Sequence, residues 1–137
     1  MALQLLAELC DPNPTTRMRA AESLGRLGGI DAVESLTTAL QDSEGVVRLA
    51  AAESMAHLGN IEPLIAALRD KEWGVRALAA YGLGRLGDSR AVTPLVAALK
   101  DDRAEVRGNA AQALRLIGTP EALEAVRRWR EEYGEKQ

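Results

Sequence analysis

The sequence predicts an all-α fold in which helical hairpins stack side by side into an α-α superhelix, or solenoid, and three observations carry that prediction. Residues 70–87, DKEWGVRALAAYGLGRLG, recur in pattern at 11–28, 42–59 and 101–118, each with an Asp six residues before an Arg and a Gly eleven after it. Within each copy, apolar positions such as Ala79, Ala80, Leu83 and Leu86 fall at the three-to-four-residue spacing of one helical face. Apolar residues make up 47% of the chain but aromatics only 3%, with no Phe, so the interior is mostly Ala and Leu and suits closely packed helices.

Each repeat opens with a charged turn and ends at its Gly, which stops the helix. Ahead of each Asp lies a second apolar pattern, PLVAAL at 94–99, PLIAAL at 63–68, SLTTAL at 35–40 and QLLAEL at 4–9. Pro63 and Pro94 are expected at a first helical position, where no backbone donor is lost. Each unit is therefore two helices joined by a short turn, with units at 2–28, 31–59, 61–87 and 91–118 and a capping helix at 119–133, all in one domain. The spacing between the arginines is 31, 28 and 31 residues, and the missing three fall in the connection at 59–63, where a tighter turn is expected. A lone pair cannot bury its apolar stripe, so the pairs must stack, and the alanine pairs at 20–21, 51–52, 79–80 and 110–111 let helices approach closely. Thr119 and Pro120 make a helix start. Beyond it Trp129 and Arg130 replace the inner Ala and Leu, so charge closes the array and Trp129 and Tyr133 are expected to lie over the last pair. At the other end Glu8 takes the place of Ala39, Ala67 and Ala98.

Composition narrows the chemistry. The formal net charge of -3 argues against a binder driven by phosphate neutralisation. Residues 1–68 hold nine acids against four bases and residues 69–137 eleven against thirteen, an asymmetry that reads as solvated faces. Cys10 is alone, which rules out a disulfide within the chain and points to a reducing compartment. Its apolar neighbours lead one to expect a buried structural thiol. The start MALQLLAELC lacks a basic stretch and reads as a helix, and no apolar run reaches the length of a membrane span, so a cytoplasmic location is the default. His57 is the single histidine. No Cys or His cluster has metal-site spacing and no nucleophile, base and acid share a local signature, so no catalytic residue, metal or cofactor is assigned.

The repeats resemble the HEAT-like repeats of the phycobilisome-lyase type. The resemblance rests on Val-Arg-x-x-Ala-Ala at 75–80 and 106–111, Leu-Gly-x-Leu-Gly-Asp at 83–88 and Ala-Val-x-Pro-Leu at 91–95, and it covers essentially the whole chain. It implies an α-solenoid whose inner Asp and Arg residues, Asp42, Asp70 and Asp101 with Arg48, Arg76 and Arg107, bond within and between units as a structural ladder. The first unit departs from the pattern at Thr16, Pro12 and Pro14, and the ladder is expected to be weakest there. Hydroxylases built from such repeats bind iron through His-Glu pairs, which this chain lacks.

The resemblance also implies that the second helix of each pair lines a concave face whose solvent-facing positions bind partners. Those positions supply Val46, Leu49, Glu53 and His57 from the second unit, Trp73, Ala77, Leu78, Tyr81 and Arg85 from the third, and Gln112 from the fourth. Trp73 and Tyr81 flanked by Val46 and Leu49, with Glu53, His57 and Arg85 at the edge, have the makeup of a hot spot with a polar rim; the alternative is that Trp73 packs over the turn before its helix and Tyr81 fills a gap between units. The function expected is a non-enzymatic protein-binding module with a protein partner, no nucleic acid and no membrane, as monomer or homodimer. The alternatives are a subunit related to bilin lyases or chromophore-protein chaperones, and a self-associating structural protein.

Overall fold

Turns and apolar periodicity together dictate an alternation of short and long helices. The computed structural model describes residues 2–133, and every regular element there is helical. The first helices of the pairs are α1 (Ala2–Glu8), α3 (Ile30–Ala39), α5 (Ile61–Ala67) and α7 (Val92–Ala98). The second helices are α2 (Pro14–Leu27), α4 (Gly45–Leu58), α6 (Trp73–Leu86) and α8 (Ala104–Ile117), and α9 (Pro120–Glu132) closes the series.

Helix ends follow from local chemistry. Asn13 accepts from the Thr15 backbone N–H at 2.9 Å with Pro14 at the first position, so the two prolines of the first unit frame a cap. Thr119 does the same for Ala122 at 3.1 Å, with Pro120 opening α9. Gly87 ends α6 at φ 67°, a left-handed conformation that an L side chain resists. Pro63 and Pro94 stand third in α5 and α7, not first; the first-turn N–H groups have no acceptor within the helix in any case. The irregular spacing has two sources: a 3-10 turn at Ser89–Ala91, capped by Asp88, precedes α7, and α3 is three residues longer than α5, whereas only Gly59 and Asn60 precede the seven-residue α5.

The second helices pack side by side, α2 on α4, α4 on α6 and α6 on α8, with the first helices laid against them. Leu24, Leu36, Met55, Leu64, Leu83, Leu95 and Leu114 fill one continuous core, and all eight alanines of the four pairs are buried. Small residues set the helix spacing. A β-carbon on Gly84 would stand 2.6 Å from the Cα of Ala113, and one on Gly82 would stand 3.0 Å from the β-carbon of Ala56. Ser54 is buried against Gly25 and donates to the Ala21 carbonyl at 2.8 Å, which satisfies its hydroxyl across the α2–α4 contact.

The Asp and Arg series forms a ladder that ties each unit to the next. Arg17 donates to both carboxylate oxygens of Asp42 at 2.8 and 3.1 Å, Arg48 to Asp70 at 2.9 and 3.2 Å, and Arg76 to Asp101 at 2.8 and 3.1 Å. The remaining guanidinium nitrogen donates to the backbone carbonyl of the Asp in its own unit, Asp11, Asp42 and Asp70, at 2.7 to 2.8 Å. Each carboxylate also accepts the N–H two residues on, from Glu44, Glu72 and Arg103. Burial pushes the Asp42 and Asp101 carboxyls up, but the hydrogen bonds from Arg17 and Arg76, the backbone N–H groups and the nearby cations outweigh it. Both acids end below their ordinary values.

Two expectations fail here. The rung from the first unit, expected to be weakest, is complete. It is Arg107 whose side chain has no carboxylate within reach among the described residues, donating only to the Asp101 carbonyl at 2.8 Å. The acid at the matching spacing, Glu132, ends α9, where the inner units instead turn. Cys10 is exposed rather than buried. Trp129 packs on the core with its indole N–H buried and without an acceptor among the described residues, while Tyr133 stays half exposed beside it.

Candidate functional site

The site is built from the face that the second helices turn away from the first. The glycines and alanines that bring α4, α6 and α8 together leave shallow grooves between them. The groove between α4 and α6, about 510 Å³, has Ala56 and Gly82 at its floor and Glu53, His57, Leu78, Tyr81, Arg85 and Leu86 around it. The groove between α6 and α8, about 500 Å³, has Gly84 and Ala113 at its floor, with Tyr81, Arg85, Asn109, Gln112 and Leu116 around it. Tyr81 and Arg85 therefore form a ridge shared by both.

That ridge is held by its own contacts. Arg85 donates to the Tyr81 hydroxyl at 3.1 Å, and its guanidinium carbon lies 5.8 Å from the ring centroid. Tyr81 is 50% exposed and Leu116, across the second groove, 56%. Asn109 bridges the floor by donating to the Ala77 carbonyl at 2.8 Å. No group of three or more His, Cys, Asp and Glu among the described residues has the placement of a metal site, and no described helix is long and apolar enough to cross a membrane.

Of the residues singled out in the sequence, Glu53, His57, Leu78, Tyr81 and Arg85 come together around the first groove, and Gln112 joins Tyr81 and Arg85 at the second. Trp73 lines neither: it sits at the start of α6, 38% exposed, with the Arg103 guanidinium 4.4 Å from its ring centroid. Val46 is exposed outside the grooves, and Leu49 is half buried against the core. Ala77 is buried, contrary to its expected solvent-facing position, because α8 packs against that side of α6. The floor residues Ala56, Gly82, Gly84 and Ala113 were not foreseen. Their signal is the run of small residues six and eight positions after each ladder arginine, broken only by Arg115 on α8.

With this arrangement established, the family is decided by a match over nearly the whole length: the HEAT-repeat family model matches residues 1–60 and 61–134, dividing at the short connection between α4 and α5. The chain belongs to the HEAT-repeat family. The HEAT-repeat chain has the same fold as several solved structures. The complex of CpcE and CpcF of phycocyanin lyase from Nostoc sp. PCC7120 is similar at a TM-score of 0.75 and 23% identity, over 98% of this chain and 65% of that one. An engineered protein is similar at 0.66 and 23%, over 93% and 67%, and a designed armadillo repeat protein at 0.62 and 20%, over 94% and 70%. The chain thus spans about two thirds of the length of each. No curated protein sequence matches it.

Proposed function

We propose that this HEAT-repeat chain is a non-enzymatic binding module that takes a protein partner on the concave face of its second helices. The observation that carries the reading is the Tyr81–Arg85 ridge, an exposed aromatic and a cation standing between two small-residue grooves with Leu116 beyond. Aromatic and arginine anchors bordered by polar groups dominate protein interfaces. They stand here on packed helices, so little ordering entropy is lost on docking. The test is affinity capture from the native host with the wild-type chain and with Tyr81→Ala, compared by quantitative mass spectrometry. A partner lost with Tyr81 and kept by Glu121→Gln on α9 supports the reading; a partner kept by both removes this face.

A second reading, a subunit related to bilin lyases or chromophore-protein chaperones, is favoured by the likeness to the CpcE and CpcF complex. Absorbance followed over time with a bilin and an apoprotein tests it: a shifted and enhanced band supports the reading, and an unchanged spectrum excludes it. The third, self-association, predicts a mass that rises with concentration in light scattering.

A further inference from the structure

The last ladder arginine shows what the end of the stack is shaped to hold. In the three complete rungs the arginine Nη1 donates to the carbonyl of its own unit's Asp at 2.7 to 2.8 Å, and the planar guanidinium then aims Nε and Nη2 at the next unit's carboxylate. Arg107 makes the same first contact, Nη1 to the Asp101 carbonyl at 2.8 Å, and neither its Nε nor its Nη2 has an acceptor among the described residues. The fork is posed as in the filled rungs, with its carboxylate side open.

Two further positions open at the same end. α9 packs on α7 and α8 as the first helix of a fifth unit, and no second helix accompanies it among the described residues. Ile61 and Val92, in units completed by α6 and α8, are 7% and 6% exposed, whereas Leu123, one 31-residue step on from Val92, is 48% exposed. Ala77 on α6 is buried, but Gly108, at the matching place of α8, is exposed, and a β-carbon there would meet nothing within 4 Å.

We infer that this end of the stack takes one helix of a protein partner, seated beside α8 as a second helix, and that an aspartate turn opening that helix completes the rung on Arg107. The inference goes beyond the proposed binding face, which needs nothing at α9. The filled rungs define the turn: each carboxylate also accepts the N–H two residues on, so the ligand is an aspartate two residues ahead of a helix start. The helix contacts define the rest. The residue eight after one ladder arginine meets the residue six after the next, Gly25 with Ser54, Ala56 with Gly82, and Gly84 with Ala113. Arg115 holds the first of these places on α8, so the incoming helix needs a glycine opposite it to let that side chain pass. Arg130 stands where Leu99 does, which confines the apolar contact to the Leu123 end of α9. A second copy of the chain fits less well. Its open acid is Asp11, which accepts the Asn13 N–H at 2.8 Å, and α1, ahead of that turn, would need the place that α9 holds.

The probe is a synthetic peptide of residues 70–87 of this chain, which carries Asp70 ahead of its helix and Gly82 to face Arg115. Titrated into the 15N-labelled chain, it should shift residues 104–108, Leu123 and the Arg107 Nε–H. Asp70→Asn in the peptide should weaken binding by about tenfold, and Arg107→Gln in the chain should erase that difference. Tyr81→Ala in the chain should leave binding unchanged. Because a short free helix is marginal in water, the same peptide is also joined after Gln137 by a Gly-Ser linker, which raises its effective concentration to about the millimolar range. The tethered helix should raise the urea midpoint, and the peptide Asp70→Asn and Arg107→Gln should each cancel the gain. Equal binding of the two peptides, shifts centred on the Tyr81 grooves, or no gain from the tethered helix overturns the inference. A light-scattering mass that rises with concentration and falls back with Asp11→Asn assigns this end to a second copy and overturns it as well.

Discussion

Asp70→Asn probes the ladder at its most buried rung. Arg48 is 4% exposed, and its three guanidinium nitrogens are all engaged, two by the Asp70 carboxylate at 2.9 and 3.2 Å and one by the Asp42 carbonyl at 2.7 Å. Asp70 Oδ1 serves both Arg48 and the Glu72 N–H, and Oδ2 serves Arg48 alone. An asparagine with its oxygen at the first position keeps the turn and one arginine bond, but it loses the other bond and the negative charge. A charge-assisted hydrogen bond contributes about 1.5–3 kcal/mol. Breaking a buried ion pair outright costs about 3–5 kcal/mol because the remaining charge stays uncompensated. The partial loss here should cost about 2–4 kcal/mol, since one of the two bonds survives. Urea unfolding at pH 7, followed by far-ultraviolet circular dichroism, reads it as a lowered midpoint at unchanged slope. Glu124→Gln, which loosens the exposed pair with Arg127, should stay within about 0.5 kcal/mol. If Asp70→Asn is as mild as Glu124→Gln, the ladder does not hold the units together and the reasoning fails.

The helix contacts predict opposite signs for two glycines. Gly84→Ala drives a β-carbon into the Ala113 backbone and should destabilise by about 1–3 kcal/mol, whereas Gly108→Ala, with open space around it in α8, should stabilise by about 0.5–1 kcal/mol in the same unfolding assay. The depressed Asp42 and Asp101 carboxyls bind protons more readily when unfolded, so stability rises with pH in the acid range. Their contribution is complete above the ordinary carboxylate value of about 4 and is lost as pH falls through the folded values, so Asp101→Asn should flatten that part of the stability profile. Tyr81→Ala removes a half-exposed side chain and should change stability by about 1 kcal/mol at most, which separates a binding effect from misfolding.

The fold was legible because one physical requirement repeats: a hairpin that cannot bury its own stripe writes the same Ala-Ala and Leu positions into every unit, and Leu24, Leu83 and Leu114 all sit where that spacing puts them. The ladder partners were legible as a set, but the incomplete rung was expected in the first unit and lies in the last. Arg17 needs only the turn that carries Asp42, so the altered turn of the first unit does not disturb it. Arg107 needs a turn after α9 that the continuous helix does not make. Cys10 misled because neighbouring leucines in sequence do not cover a residue at the exposed end of a helix. On the proposed binding face, spacing along α6 put Tyr81 and Arg85 on one side of the helix, and Arg85 donates to the Tyr81 hydroxyl there. It misplaced Ala77, since which flank of a helix is covered depends on the helix beside it; Trp73 is exposed but stands apart from the grooves. The groove floors were overlooked because small residues read as packing. Here they both pack the helices and leave the grooves open.

The proposed face requires adjacent second helices to meet backbone to backbone while their outer ridge stays in water. Nuclear Overhauser contacts in a methyl-labelled sample measure this directly. The expected spectrum connects the Ala113 methyl to the Gly84 α-protons and the Ala56 methyl to those of Gly82, with the Tyr81 ring showing contacts only to its groove neighbours. Absence of those cross-helix contacts, or strong contacts from the Tyr81 ring to Leu83 and Leu114 in the core, would contradict it.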